Sequence, residues 1–254
     1  MDLTFFVFMP AMQGRHGNGQ VTTISLAVPS GALGFWKERF DREQVRNEDI
    51  AERFGRKCLK FYDHDGQHLQ LVEVTESELL DTDPWSTVEV AQEVAIRYFF
   101  SAKLSVFSFT AIEGVLTEVM GYERVAQEEH RRLYEIKGSN RAKMLEVSED
   151  SAGRHGLNAA ETVQHIAFRV KDEVEQNAMR EKVLKMGLYP TEIIDRFYFK
   201  SVYFRTPAGI LFEIATGEPG FTADESESEL GMYLALPPFL EMHRAEIEKG
   251  LVVL

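Results

Sequence analysis

Apolar residues along the chain recur in one order: a short strand-like run, a stripe at helical spacing, and then about three more short runs. This order occurs three times, in residues 21–74, 99–147 and 162–216. Short apolar runs bounded by turn residues predict strands, and apolar residues at helical spacing predict one-sided helices. The helix of the last segment, for example, is predicted from about Asp172 to Met186. The sequence therefore predicts three βαβββ modules.

The first apolar run, Leu3–Phe8, has no opening strand or helix before it and is followed by a glycine-rich connector over residues 14–20. We interpret it as the final strand of a further module whose beginning is missing. Such modules cannot bury their sheets alone and must pair. The acidic segment 75–95 is taken as the linker between two pairs, which gives domains 1–96 and 97–254. The predicted fold class is α+β, with tandem βαβββ modules in two pairs and a truncated first module.

A histidine and a glutamate, His165 and Glu213, each lie inside an apolar run of the last module. Counting from the strand ends places Thr23 and Ser101 where His165 stands, and Gln70 where Glu213 stands. A lone buried charge is costly, so this pair needs a partner. A hydrogen bond between the two in the core is one solution, and a shared metal ion is another. A pair that only stabilised a core would not need to fall at equivalent positions of a repeat, which favours the metal.

The composition limits the partners and the compartment. The chain has 254 residues, a net charge of −13 and a single cysteine, Cys58. An acidic chain is a poor partner for nucleic acid or an anionic membrane. A single cysteine excludes an internal disulfide and suits a reducing compartment, so we expect a cytoplasmic protein. The apolar run Phe5–Met9 is too short to span a bilayer.

Several stretches of the chain resemble the vicinal oxygen chelate superfamily, which includes glyoxalase I, type I extradiol dioxygenases and antibiotic-resistance binders. The likeness is closest to the ring-cleaving dioxygenases that act on hydroquinones, and it covers essentially the whole chain. The stretches that carry it are 17–22, 53–55, 195–205, 212–216, 219–221 and parts of the tail 224–244.

This resemblance implies Fe(II) held by two histidines and one glutamate, of which His165 and Glu213 would be the two in the last module. The other histidine belongs to the opening strand that this chain lacks. Gln164 stands where these enzymes usually have a second histidine, and Gly217 replaces a common aspartate. With one ligand absent, iron would be held less tightly, and Mn(II) or no metal are the alternatives.

Arg196 and Tyr203 are the further candidates for the reaction by the same resemblance. Arg196 would face an anionic substrate or intermediate, and Tyr203 would donate a hydrogen bond near the bound oxygens. The alternative for Arg196 is a surface pair with Asp195, and the alternative for Tyr203 is a core tyrosine whose hydroxyl is satisfied.

The other histidines are predicted to be solvated. His64 and His68 flank a hairpin turn as a surface pair, and His16 lies in the glycine-rich connector, which we expect to be flexible.

Three functions are compatible with these residues. The first is an Fe(II)-dependent extradiol-type dioxygenase, or a truncated form of one, that acts on a hydroquinone-like aromatic with O₂ in aromatic compound degradation. The second is a glyoxalase-type isomerase, which normally needs carboxylates from two modules, whereas Gln70 stands at the second place. The third is a metal-free binding protein or pseudo-enzyme. Because a missing strand would leave a sheet edge exposed, we also expect self-association into a homo-oligomer.

Overall fold

The computed structural model describes residues 3–6, 12–79, 84–85, 87–139 and 142–251. It divides into two compact units, one formed by Met1–Ile166 with Arg205–Phe212 and the other by Ala167–Phe204 with Glu213–Leu254. None of the helices in the described ranges is long and apolar enough to cross a membrane.

The larger unit is built on one sheet of eight strands. Its elements are β1 (Gln20–Pro29), α1 (Leu33–Arg42), β2 (Ala51–Arg53), β3 (Arg56–Tyr62), β4 (His68–Val74), β5 (Tyr98–Val106), β6 (Tyr122–Glu128), β7 (Arg131–Ile136) and β8 (Met144–Glu149). The strand order is β2-β3-β4-β1-β5-β8-β7-β6. Short 3-10 and π-helical segments over Phe109–Ala111 and Val115–Val119 take the place of the predicted second helix, and their apolar side chains are buried as the stripe predicts.

The two faces of the eight-stranded sheet differ. On one face, Leu59 and Leu71 pack against Leu33, Trp36 and Phe40 of α1 in a single apolar core. Because side chains alternate along a strand, the strand residues next to Leu59 and Leu71 point to the opposite side of the sheet. We call that opposite side the helix-free face.

The modules pair differently from the prediction. β1 and β5 lie side by side and antiparallel, so the modules before and after residues 75–95 share one sheet. The predicted boundary between 96 and 97 therefore crosses a sheet, and the compact units divide the chain elsewhere. The physical reason is that the backbone of β1 finds its hydrogen-bonding partners on β5, whatever length of chain connects them.

The glycine-rich connector is part of the fold of this unit, whereas we predicted it to be flexible. Residues 12–18 pair with residues 155–160 through three isolated bridges, Gln13–Ala160, Arg15–Leu157 and Asn18–His155. A Cβ on Gly17 would lie 2.5 Å from the Arg154 carbonyl oxygen, so only glycine fits this close approach of two backbones. We call this pairing the glycine clasp.

The predicted N-terminal strand is not present in its described part. Residues 3–6 have no regular secondary structure, and Phe5 and Phe6 are largely exposed. Val7 and Phe8 lie outside the described residues. An apolar sequence alone does not make a strand, because its backbone needs a neighbouring strand with which to pair.

The third module lies mostly in the second unit, while Ile166, Arg205, Leu211 and Phe212 at the ends of its strands belong to the larger unit. Its elements are β9 (Ile166–Val170), α2 (Glu173–Lys185), β10 (Ile194–Asp195), β11 (Lys200–Arg205), β12 (Leu211–Thr216) and α3 (Arg244–Gly250), with the sheet order β10-β11-β12-β9. The predicted helix is confirmed, with Asp172 as its N-cap, accepting from the Glu175 amide at 2.9 Å, and Gly187 in a left-handed conformation after its end.

Candidate active site

The centre of the candidate site in the second unit is the carboxylate of Glu213. Its side chain lies in the middle of β12 and is buried, with 3% of the residue exposed. Ser201 Oγ and Tyr203 Oη, both on β11, donate to the same carboxylate oxygen, Oε1, the tyrosine at 2.9 Å. The two donors reach one oxygen because residues two apart on a strand share a face. A buried carboxylate held by two hydroxyls keeps one orientation, as a metal ligand or a catalytic base requires.

The phenol of Tyr203 is protonated in this setting. Burial is the largest cause that raises its pKa; the Ser201 hydroxyl opposes this, and the charge of Glu213 raises the pKa further. A tyrosine whose pKa is above its usual value near 10 remains a hydrogen-bond donor at neutral pH. In this structure the hydroxyl donates to Glu213, and the role predicted for Tyr203, to donate a hydrogen bond near the bound oxygens, stays a prediction.

Arg196 stands in the turn that leads into β11. Asp195 Oδ1 accepts a hydrogen bond from the Phe197 amide at 2.7 Å, and the Arg196 amide donates to the Phe199 carbonyl at 2.9 Å. The Arg196 guanidinium lies 5.4 Å from the centre of the Tyr203 ring, within cation–π range. The turn therefore places the exposed side chain of Arg196 beside Tyr203. The carboxylate of Asp195 accepts a hydrogen bond from the backbone of the same turn.

His165 is the last residue before β9, so it does not lie inside the strand as predicted. Its ring is half-buried, Nδ1 lies 2.7 Å from Gln164 Oε1, and the Phe6 ring is tilted against it with centroids 6.5 Å apart. Because a carbonyl oxygen can only accept, this contact favours the tautomer with the proton on Nδ1. β9, which His165 precedes, is the neighbour of β12 in the four-stranded sheet.

Aromatic side chains follow the turn at Arg196. Tyr198 packs edge-on against Phe197 with ring centroids 4.8 Å apart and against Phe221 at 5.2 Å. Its hydroxyl donates to Asp224 Oδ2 at 2.9 Å, and burial together with this carboxylate raises the pKa of Tyr198 to about 12. These rings form an apolar wall in the second unit.

Ser201 is the residue that the sequence did not single out. It is fully buried and donates to Glu213. The available signal was its position two residues before the tyrosine, opposite the strand that carries the glutamate.

The last feature of the candidate site is its set of possible metal ligands. Within the described ranges there is no group of three or more histidine, cysteine, aspartate or glutamate side chains placed to hold a metal ion. The metal-binding role of His165 and Glu213 stays a prediction from the sequence.

Comparison with known proteins places these features in context. The family model described as "Glyoxalase/Bleomycin resistance protein/Dioxygenase superfamily" matches residues 106–214. The Bacillus subtilis (strain 168) protein named "Putative ring-cleaving dioxygenase MhqA" is 36% identical over 98% of this chain and 81% of its own length. The "Chlorohydroquinone/hydroquinone 1,2-dioxygenase" of Sphingobium indicum is 32% identical over 96% of this chain and 76% of its own length.

A solved structure supports the same relationship. The crystal structure of a "putative dioxygenase" from Bacillus subtilis has a TM-score of 0.88 and 37% identity to this chain, covering 96% of this chain and 77% of that one. The α+β fold class and the resemblance predicted from the sequence are confirmed.

Proposed function

This chain belongs to the glyoxalase/bleomycin resistance protein/dioxygenase superfamily and is an enzyme of the ring-cleaving dioxygenase family, and we propose that it is an Fe(II)-dependent, extradiol-type dioxygenase that cleaves a hydroquinone-like aromatic with O₂. The substrate class is taken from the relative named for chlorohydroquinone and hydroquinone. The observation in this chain that carries the proposal is the buried Glu213 carboxylate, held by the Ser201 and Tyr203 hydroxyls.

The donors fit the proposed metal in kind. An imidazole and a carboxylate are two of the three ligands of the facial triads that hold Fe(II) in non-haem oxygenases. His165 engages Gln164 through Nδ1, so Nε2 is the nitrogen that would bind, and a metal-bound histidine typically has such a partner on its other nitrogen. When bound, Fe(II) supplies coordination positions for the substrate oxygens and for O₂ together. A third ligand is not assigned among the described residues.

The remaining residues would act on the substrate. Tyr203, protonated at neutral pH, would turn its single hydroxyl hydrogen from Glu213 to a bound substrate oxygen, with Ser201 left to hold the carboxylate. Arg196, beside the Tyr203 ring, supplies a positive charge to a deprotonated substrate oxygen. The ring wall of Phe197, Tyr198 and Phe221 would exclude water from an aromatic ligand.

The test is O₂ consumption by the purified chain, loaded anaerobically with Fe(II), on addition of hydroquinone. We expect Glu213→Gln to lose roughly 100-fold or more in retained iron and in O₂ uptake, because the amide is a poor ligand for Fe(II). Glu181→Gln, on the exposed surface of α2, is the matched control and should behave like the parent chain. If Glu213→Gln keeps its iron and activity, the metal is not on Glu213. If the parent chain never consumes O₂ with hydroquinone, the result favours the metal-free binding protein over the dioxygenase.

Three finer points stay predictions. They are Mn(II) in place of Fe(II), location in the cytoplasm, and self-association of the chain. Metal analysis, fractionation of cells and light scattering, respectively, would test them.

A further inference from the structure

The eight-stranded sheet of the larger unit curls so that the ends of its two edge strands come into contact. Its edges are β2 and β6. The Phe54 amide, in the turn after β2, donates to Oε1 of Glu128, the last residue of β6, at 2.7 Å. A cleft of about 480 Å³ lies at this seam, lined by Arg53, Glu128, Glu129 and Arg131. The helix-free face is thus the inner wall of a curled sheet, and the cleft lies at the seam where the ends of its edge strands approach each other.

Polar side chains line this inner wall. The strand register sets Lys60 beside Gln70 and Gln70 beside Ser25. Gln70 Nε2 lies 3.5 Å from Ser25 Oγ. In the next row it sets Lys103 of β5 between Thr23 and Glu146. Directly paired residues share a face, so these side chains all point inward. Gln70 also stands at the position of the repeat that Glu213 occupies in the last module.

Lys103 is a positive charge of this wall for which the described residues provide no ion-pair partner. Glu146 is its neighbour in register, but Arg131 holds that carboxylate at 3.1 Å. Lys60 is neutralised by Glu48 at 3.0 Å. Within the described part of the chain, no carboxylate lies within ion-pair distance of the Lys103 ammonium.

The electrostatic surroundings of Lys103 agree with this geometry. Burial is the largest cause that lowers its pKa; Glu146 opposes it, and the positive charges of Arg131, Lys60 and Arg53 lower it further. A half-buried cation that faces other cations is stabilised by any anion that reaches it. The two arginines at the seam lie on the path by which such an anion would enter.

The wall next to the polar rows is apolar. Val72, Phe100 and Met144 form a buried cluster with Cys58, and Leu133 packs on it. Val72 lies two residues after Gln70 on β4 and so shares its face. Met144 is paired directly with Ser101 of β5, which lies two residues before Lys103 and so shares the face of Lys103. A ligand with one negative charge and a small apolar body matches both parts.

From this arrangement we propose that the inside of the eight-stranded sheet is a second binding site, separate from Glu213, for a small organic monocarboxylate whose charge pairs with Lys103 and whose apolar body lies against Val72 and Met144. The cleft between Arg53 and Arg131 is the entrance.

The experiment is calorimetric titration of the full, chelator-treated chain with benzoate. We expect one saturable site, and we expect Lys103→Met to weaken it about tenfold or more, since a hydrogen bond to a charged group is lost. Lys57→Met is the matched control, because Lys57 is an exposed lysine of β3 next to the inward-facing Cys58. Lys103→Arg keeps the charge and should keep most of the affinity. Benzamide, which is neutral, should bind the parent chain and Lys103→Met equally weakly.

Thermal melts of all variants show whether each has folded, and the site is judged on those that have, Lys103→Arg included. Absence of saturable benzoate binding, or equal weakening by Lys57→Met, would overturn the proposal. The Glu213→Gln chain separates it from the catalytic proposal, since benzoate should bind this variant unchanged. If benzoate binding is instead lost on Glu213→Gln, the anion binds at the catalytic carboxylate and the second site does not exist.

Discussion

The phenol of Tyr203 donates a hydrogen bond to Oε1 of Glu213 at 2.9 Å, from one strand to its neighbour in the four-stranded sheet. Ser201 donates to the same oxygen. Because the carboxylate is buried, these two hydroxyls replace the water that would otherwise solvate it. Removing either of them should change how firmly Glu213 is held without removing the carboxylate itself.

Tyr203→Phe should leave the fold intact and lower ring-cleaving activity about 100-fold or more, because a hydrogen-bond donor at the reacting oxygens is lost. The cost in unfolding free energy should be about 1 kcal/mol, the usual net value of one hydrogen bond. Steady-state kinetics and urea unfolding measure the two effects. Tyr198→Phe is the matched control, since it removes a phenol that donates to Asp224 at 2.9 Å. Equal loss of activity in both variants would mean that Tyr203 has only a structural role.

The same tyrosine should make the chain sensitive to alkali. The pKa of Tyr203 is raised in the folded state, so the folded chain binds this proton more tightly than the unfolded chain does. The stability that this contributes is complete below the ordinary tyrosine pKa of about 10 and is lost as pH rises through the folded value. As pH rises from about 9, the unfolding free energy should therefore fall less steeply for Tyr203→Phe than for the parent chain. Parallel curves would contradict the assigned environment.

Ser201→Ala should lower the affinity for Fe(II) about tenfold or more while Glu213 remains in place, because groups that orient a metal ligand commonly contribute 10–100-fold. The measurement is metal retained in competition with a chelator. Ser148→Ala on β8 is the control, a serine substitution in the other unit that should leave metal affinity unchanged. An unchanged affinity in Ser201→Ala would show that Tyr203 alone positions the carboxylate.

Part of this candidate site could be predicted from the sequence, and the rest could not, for a physical reason. Glu213 and Tyr203 were predicted as site residues because a carboxylate in an apolar run and a family motif are visible in the sequence itself. Ser201 was missed because a serine becomes informative only when the adjacent strand sets a carboxylate opposite it. Gln164 was regarded as a departure from the family pattern, yet its carbonyl oxygen lies 2.7 Å from His165 Nδ1, a contact that spacing along the chain cannot reveal.

Gly17→Ala should destabilise the chain by about 1–3 kcal/mol, the usual cost of forcing an extra methyl group into a packed site. The new Cβ would lie 2.5 Å from the Arg154 carbonyl oxygen and 2.7 Å from the Gly156 amide nitrogen, both of them backbone atoms that cannot rotate away. Gly34→Ala in α1 is the control, because nothing lies within 4 Å of its Cβ. Alanine is also the better helix former, so that variant should gain about 0.5–1 kcal/mol. Urea unfolding of both variants decides whether the glycine clasp is rigid, and an unaffected Gly17→Ala would mean that it is not.

The fold shows the same division between what local pattern determines and what it does not. The three modules and the helix capped by Asp172 follow from periodicity and turn residues, and they are confirmed. Which modules share a sheet depends on the pairing of β1 with β5, a contact between strands far apart in sequence. The glycine clasp was predicted to be flexible for a similar reason. Glycine permits both a loose linker and a close approach of two backbones, and only the partner segment decides between them.

His68→Gln should make the chain less sensitive to acid. His68 is half-buried, its ring stacked on His16 with centroids 4.0 Å apart, and burial followed by His16 lowers its pKa from 6.5 to about 4. The folded chain therefore binds this proton less readily than the unfolded chain, so the stability is present above about pH 6.5 and is lost as pH falls toward 4. Between these limits the unfolding free energy of the parent should fall more steeply than that of His68→Gln. The difference should stay below about 1.4 kcal/mol per pH unit, the limit for one whole proton, because solvent screens a half-buried ring. His64→Gln is the control, since His64 is an exposed histidine beside Asp65 at the same hairpin turn. Urea unfolding over this pH range measures all three chains, and a His68→Gln curve parallel to that of the parent would show that His68 is solvated, as its place beside a hairpin turn first indicated.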